Sequence, residues 1–238
     1  MEGIVSVPIQ SSAVCPYCNA KLAKRPQRKK KCPSCGNFIF VRTLPTTREK
    51  VLATEAEARR IDEEWAQRRR HMRWLDFLNA NGIPKRAFAQ KKKYLSKKWG
   101  REAPDSGVIW TFLNELLEKE AKSGNLHRLS TLYYMMAQFL DEEGKDFFPL
   151  LVESSKWELM DLKQRGFTKV EVNTVRDTYV CPACQQLAGR VFSIDDAVRQ
   201  MPIPCKECTH VVHSKPGFCR CRYQPTGDVT RKEMRFEL

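Results

Sequence analysis

The sequence predicts a mainly α fold: a central helical bundle or hairpin domain flanked by two small β-rich, cysteine-rich modules. Three observations lead there. The ten cysteines crowd toward the two ends, four between Cys15 and Cys35 and six between Cys181 and Cys221. Between those clusters, apolar residues recur at the three- and four-residue intervals of a helix face. Beyond Gly166 the period shortens to two, with Val170 and Val172 alternating with Lys169, Glu171 and Asn173 as in a half-buried strand. The expected organisation is a basic-looped module over 1–45, a long linking helix over 46–82, a helical domain over 83–166, a C-terminal cysteine-rich module over 167–223 and a tail over 224–238.

At 238 residues the chain is long enough for one helical core plus small satellite modules. No stretch approaches the ~20 apolar residues of a membrane-spanning helix, so no membrane partner is expected. The opening residues lack the basic and apolar regions of a secretory signal, which points to the cytoplasm. There, paired cysteines serve as metal ligands more often than as disulfides, the disulfide framework being the alternative.

The formal charge of +14 is concentrated. Residues 1–47 carry eight Lys/Arg against Glu2 alone, and residues 85–101 carry eight with no acid. Two such blocks call for a polyanionic partner, nucleic acid first, against the plainer reading of solvated surface charge.

Taken in order, Cys15-Pro-Tyr-Cys18 and Cys32-Pro-Ser-Cys35-Gly36 form a C-x2-C-x13-C-x2-C pattern. Each short spacer turns its two sulfurs the same way, and two such knuckles complete a tetrahedron of thiolates around zinc. The pattern resembles the short zinc ribbons found on many nucleic-acid-associated proteins. Four thiolates leave no open coordination position, so this zinc is structural. Seven of the thirteen loop residues are basic, namely Lys21, Lys24, Arg25, Arg28, Lys29, Lys30 and Lys31. All but Lys21 are candidate phosphate contacts. Phe38 to Val41 read as the module's final strand.

Thr46-Thr-Arg-Glu49 has the form of a capping box and is expected to open the long helix. Val51, Thr54, Ala58, Ile61, Trp65, Arg68, Met72 and Leu75 then follow in 3-4 alternation, a heptad stripe that Arg68 interrupts. Asn81-Gly82 stops it and Pro84 starts the next helix. Over about 84–99, Phe88, Leu95 and Trp99 share one side, while Lys91, Lys92, Lys93, Lys97 and Lys98 crowd the remainder as further candidate phosphate contacts. Trp99, Tyr94 and Tyr17 are candidate stacking residues. A third helix follows Asp105. A fourth, with Leu126, Leu129, Tyr133, Met136 and Leu140, and a fifth, with Phe148, Leu151, Leu159 and Leu162, form an antiparallel hairpin. It offers one protein-binding surface, and the 46–80 helix offers another.

After the strand at Val170, Cys181-Pro-Ala-Cys184 and Cys205-Lys-Glu-Cys208 are separated by twenty residues, at the upper edge of four-cysteine zinc spacing. Val191-Phe192 is a candidate partner strand, and Ser193 caps a short helix. Cys181, Cys184, Cys205 and Cys208 are the simplest complete ligand set, making two or more zinc ions in all. His210, His213, Cys219 and Cys221 stay open as replacements or as ligands of a further ion.

Asp177, Cys181-Pro-Ala-Cys184, Leu187, Gly189, Val191-Phe192 and Cys219-Arg-Cys221 resemble the C-terminal motif of phage Mu F-like minor head morphogenesis proteins. The resemblance covers roughly 45 of 238 residues. It implies a head-assembly role and pairs Cys181 and Cys184 with Cys219 or Cys221 and one histidine. Lys215-Pro-Gly-Phe218 departs from that family's His-Pro-x, and Cys205 and Cys208 are additional.

Three functions are therefore carried forward. One is a zinc-binding, non-enzymatic protein associated with nucleic acid. The second is a phage or mobile-element assembly protein. The third is a metal-dependent nuclease using His210 or His213, against which stands the absence of H-E-x-x-H, a P-loop or an ordered Ser/His/Asp set.

Overall fold

The computed structural model describes residues 13–175 and 180–226; Asp177 and the end of the expected tail lie outside the described residues. The chain divides into two compact units, Met1–Asp105 and Ser106–Leu238. Among the described residues there are seven helices and two three-stranded sheets, and no helix is long and apolar enough to cross a membrane. The helices expected as one domain over 83–166 are shared between the two units.

The first unit begins with a sheet of order β1-β2-β3, made of Lys30–Lys31, Phe38–Thr43 and Lys50–Ala53, all antiparallel. Here the sequence expectation is corrected twice. Phe38–Val41 is not the last strand, and the long helix does not open at Thr46. Residues 45–47 are a turn, and Lys50–Ala53 alternates between exposed and buried, sending Val51 and Ala53 inward. That two-residue period, paired against Arg42 and Thr43 in β2, outweighs the capping-box pattern before it. The working capping box comes eight residues later. Glu57 N–H donates to Thr54 Oγ1 at 3.3 Å, and Thr54 N–H donates to Glu57 Oε2 at 2.8 Å.

Helix α1 then runs over Glu55–Ala80. Its first turns bury Ala58 and Ile61 against Val51 and Ala53, with Phe40, Leu44 and Trp65 packed around them. The expected heptad stripe ends there, because Arg68 and Met72 are exposed. Polar ties hold the helix to the sheet. Trp65 Nε1 donates to Thr43 O at 2.6 Å, Arg68 Nη1 to Pro45 O at 2.6 Å, and Arg42 Nε reaches Asp62 Oδ1 at 2.9 Å. Helix α2, Lys85–Trp99, buries Phe88 and Leu95 and ends at Gly100.

In the second unit, α3 (Asp105–Ser123) is followed by α4 (Leu126–Glu142) and α5 (Phe148–Gln164), the last two forming the expected hairpin. Small polar residues let the helices approach: Ser154 Oγ donates to Ser130 O at 2.9 Å inside the interface. Trp110 of α3 stacks on Phe139 of α4 at 5.9 Å. The second sheet has order β5-β4-β6, from Val191–Ser193, Lys169–Asn173 and Arg222–Thr226. Val170 and Val172 are fully buried, as their alternation requires. Residues 222–226 pair along the whole of β4, so the segment read as a tail from 224 begins as a sheet strand. Short helices α6 (Pro182–Leu187) and α7 (Ile194–Gln200) complete the module, the latter capped by Ser193. Leu159 and Leu162 of α5 share one core with Val170, Val172, Ile194, Ala197, Ile203 and Tyr223.

That core leaves one carboxylate stranded. Glu158 Oε2 is shut off from solvent and has no hydrogen-bond partner among the described residues. Burial pushes the Glu158 carboxyl above its ordinary range, while the Arg222 guanidinium and the Tyr223 N–H pull the other way. A carboxyl whose folded pKa is raised supports the fold below its unfolded pKa of about 4.3 and withdraws that support as pH rises through the folded value. Glu158→Gln, neutral throughout, is expected to gain melting temperature relative to the parent as pH is raised from about 4 to 8. Thermal melts across that range check it; a pH-independent difference contradicts the assignment.

Candidate metal centres

The N-terminal centre is built by two equivalent hairpins. In the first, Cys15 N–H donates to Ala20 O at 2.9 Å and Asn19 N–H returns to Cys15 O at 2.9 Å. In the second, Cys32 N–H donates to Asn37 O at 2.8 Å and Gly36 N–H returns to Cys32 O at 2.9 Å. Each loop closes on a left-handed residue four places after its first cysteine, Asn19 at φ 58° and Gly36 at φ 74°. Glycine and asparagine are the residues that take this conformation most cheaply. Ile39 of β2 packs between Cys15 and Cys32, all three essentially buried, while Cys18 and Cys35 face outward.

The four sulfurs converge within 4.8 Å of one another. Cys15 Sγ lies 3.8 Å from Cys35 Sγ and Cys18 Sγ 3.8 Å from Cys32 Sγ. A disulfide needs about 2.05 Å. Four sulfurs each about 2.3 Å from a central zinc ion stand about 3.8 Å apart along every edge of the tetrahedron. The geometry therefore fits a tetrahedral metal ion and not a bridge. The electrostatics agree. N–H groups of Cys35 and Ser34 draw Cys32 down to about 6. Against the pull of the Ala20 N–H, burial and then the neighbouring thiols push Cys18 up to about 12. One ionised sulfur thus suppresses the next, and a divalent cation is what lets all four ionise together.

The C-terminal centre holds six cysteines, none more than 9% exposed. Cys181, Cys184 and Cys208 form one group of three and Cys184, Cys219 and Cys221 another, the sulfurs in each lying within 4.8 Å. Cys184 belongs to both, and its sulfur is 3.8 Å from that of Cys219. Each group can hold a metal ion. Cys181 caps α6, accepting the Cys184 N–H at 3.4 Å. The Thr209, His210 and Cys205 N–H groups point respectively at the sulfurs of Cys181, Cys208 and Cys219. Donation from the Cys184, Cys208 and Cys221 thiols holds Cys219 as a thiolate, far below the ordinary thiol range. Cys208 is pushed up in return by Cys184 and Cys219. A cavity of about 10 Å³ opens among Cys181, Cys184, Cys208, Cys221 and His210.

Of the simplest set expected from spacing, Cys181, Cys184 and Cys208 are brought together. Cys205 stands outside both groups, with its sulfur 3.4 Å from Glu207 Oε2. His213 is turned to the α4–α5 hairpin, its Nε2 3.5 Å from Glu142 Oε1. What sequence reasoning missed is Asp141. This fully buried residue of α4 accepts from His213 N–H at 3.1 Å, Ser214 N–H at 3.1 Å and Ser214 Oγ at 2.6 Å. Next to it Phe218, also fully buried, meets Phe147 at 5.1 Å and Tyr134 at 5.6 Å. Together they fasten the loop that delivers Cys219 and Cys221.

The basic candidates divide by environment. Lys24, Arg28, Lys29, Lys30 and Lys31 are exposed. Lys29 Nζ sits 4.5 Å over Phe38 and 4.7 Å over Phe40, and Lys31 lies 5.4 Å over Phe38. Arg25 instead donates to Lys50 O. On α2, Lys93, Lys97 and Lys98 are exposed and Lys91 is half-buried. Lys92 is claimed by Asp105 at 2.9 Å and Glu102 at 3.0 Å, which occupies its charge within the protein. Tyr94 and Trp99 are 60% and 41% exposed, whereas the Tyr17 hydroxyl accepts the Glu55 N–H at 2.8 Å. Comparison with protein-family models, curated proteins and solved structures returned no match for this chain.

Proposed function

We propose that this chain is a zinc-stabilised, non-enzymatic protein that binds nucleic acid through the basic surface of its first unit. All-thiolate donors with tetrahedral spacing suit zinc among the common ions. Cys15, Cys18, Cys32 and Cys35 would hold one ion, and the group around Cys184 the other or others. Four thiolates leave the N-terminal ion no open position and hence a structural role.

The observation that carries the reading is the lysine-covered strand next to the N-terminal centre. Lys29 and Lys31 lie over the rings of Phe38 and Phe40, so their charges are presented on a rigid platform instead of a loose loop. Lys93, Lys97 and Lys98, with exposed Tyr94 and Trp99 on the same helix, add charge and stacking surface in one unit.

Titration with labelled single- and double-stranded DNA and RNA is expected to show binding at low salt, with affinity falling log-linearly as salt rises. Chelating the metal is expected to abolish it by unfolding the N-terminal module. Undetectable binding to all four at low salt rules the proposal out.

A further inference from the structure

The residue that breaks the heptad stripe, Arg68, opens onto a cleft of about 470 Å³ in the first unit. One wall is α1, where Trp65, Arg69, Met72 and Arg73 follow at helical spacing; the other is the 44–49 connection, which contributes Arg48. Four guanidinium groups line the cleft against a single carboxylate, Asp76.

The cleft is prepared and not merely charged. Trp65 is pinned by its bond to Thr43 O, and Arg68 by its bond to Pro45 O. Arg48 stands at φ 65° in that connection, with its guanidinium 4.7 Å over the Trp65 ring. Contact with the indole face holds that guanidinium in place without consuming its N–H donors. Part-burial, and then the charge of Arg70, pull Arg73 below the ordinary guanidinium range. A bound anion offsets the repulsion among the cleft's four guanidinium groups.

We infer that this cleft binds the phosphate backbone of a single nucleic-acid strand, an inference that rests on the proposed function and gives it a specific site. Guanidinium forks match phosphate oxygens pairwise, which lysine does not. Arg69 and Arg73 are one helical turn apart, so one strand can place neighbouring phosphates on both. Arg48 already covers a face of Trp65, so recognition runs through the backbone and the bases point outward. The surface is concave, so a strand can lie along its row of arginines.

The test uses the full chain, with fluorescein-labelled oligo-uridine and oligo-thymidine read by anisotropy across a salt series. Arg69→Ala/Arg73→Ala removes two exposed side chains that face the cleft. It is expected to weaken binding about tenfold and to lower the salt slope by about 1.4, the value for two phosphate contacts on a single strand. Arg48→Ala, outside the helix, is expected to weaken it in the same direction and decides the matter if the double variant misfolds. Melting temperature and metal content should match the parent. If the parent binds and both variants bind equally well, the cleft is not the site, while the proposed function survives. If the parent binds neither oligonucleotide, the strand assignment falls, and the proposed function stands or falls with binding of duplex DNA or RNA. If inorganic pyrophosphate displaces oligo-uridine at equal phosphate concentration, the cleft is a small-anion site and the strand assignment is overturned.

Discussion

Cys184→Ser is expected to strip the C-terminal half of its metal and unfold the β5-β4-β6 module, while Cys205→Ser keeps both. The reason is placement. Cys184 is the one sulfur common to both groups of three, whereas Cys205 belongs to neither. Structural zinc contributes on the order of 10 kcal/mol or more to the folding of small modules, so a lost central ligand costs more than the module's apolar core can offset. The damage should stay local, because the four N-terminal thiols form their own centre. Elemental analysis with thermal melting measures this. Metal content should fall by the full C-terminal complement in Cys184→Ser and by none in Cys205→Ser. Equal losses in the two variants would return Cys205 to the ligand set.

The second large effect is expected from Phe218→Ala. The ring is fully buried among Phe147, Tyr134, Ala137 and Leu151 on the α4–α5 hairpin. Deleting a buried phenylalanine costs about 3–5 kcal/mol. Here the consequence extends past packing, because Cys219 is the next residue. With the anchor gone, the loop keeps its polar ties, Asp141 to His213 and Ser214 and Glu142 to His213, but loses its largest apolar one. Chemical denaturation should show the loss of stability, and metal release to a competing chelator should accelerate. Normal chelator kinetics in a destabilised variant would mean that Phe218 packs without positioning the ligands. The Lys215-Pro-Gly-Phe218 segment, which departs from the head-protein pattern, thus has a structural use in this chain.

The local elements were largely readable. The Cys15–Cys35 knuckles needed only their two-residue spacers and a left-handed closing residue. The α4–α5 hairpin and β4 followed from their apolar periods. Errors arose where two short signals competed. Thr46…Glu49 and Thr54…Glu57 both have capping-box form, and only the pairing of Lys50–Ala53 with β2 chooses between them. The tail reading from 224 failed for a like reason: Arg222–Thr226 has no strong alternation, and β4 supplies its hydrogen bonds.

Lys92 shows the same limit for charge. Its block of lysines reads as one basic surface, yet Asp105 and Glu102, ten or more residues away, take that side chain for themselves. The arginine cleft went unseen because Arg48 and Arg69 are twenty-one residues apart and meet only when α1 packs on its sheet.

Spacing along the chain was enough to say that thiolates, paired by tight turns, anchor both ends of a helical protein with two basic blocks. Those features are written within a few residues of one another, where backbone geometry leaves little choice. Which sulfurs gather around Cys184, and which arginines share a cleft, depends on segments that approach from far along the chain. Their meeting is settled by anchors such as the buried Phe218 and Asp141 and the half-buried Trp65, whose partners no local pattern identifies.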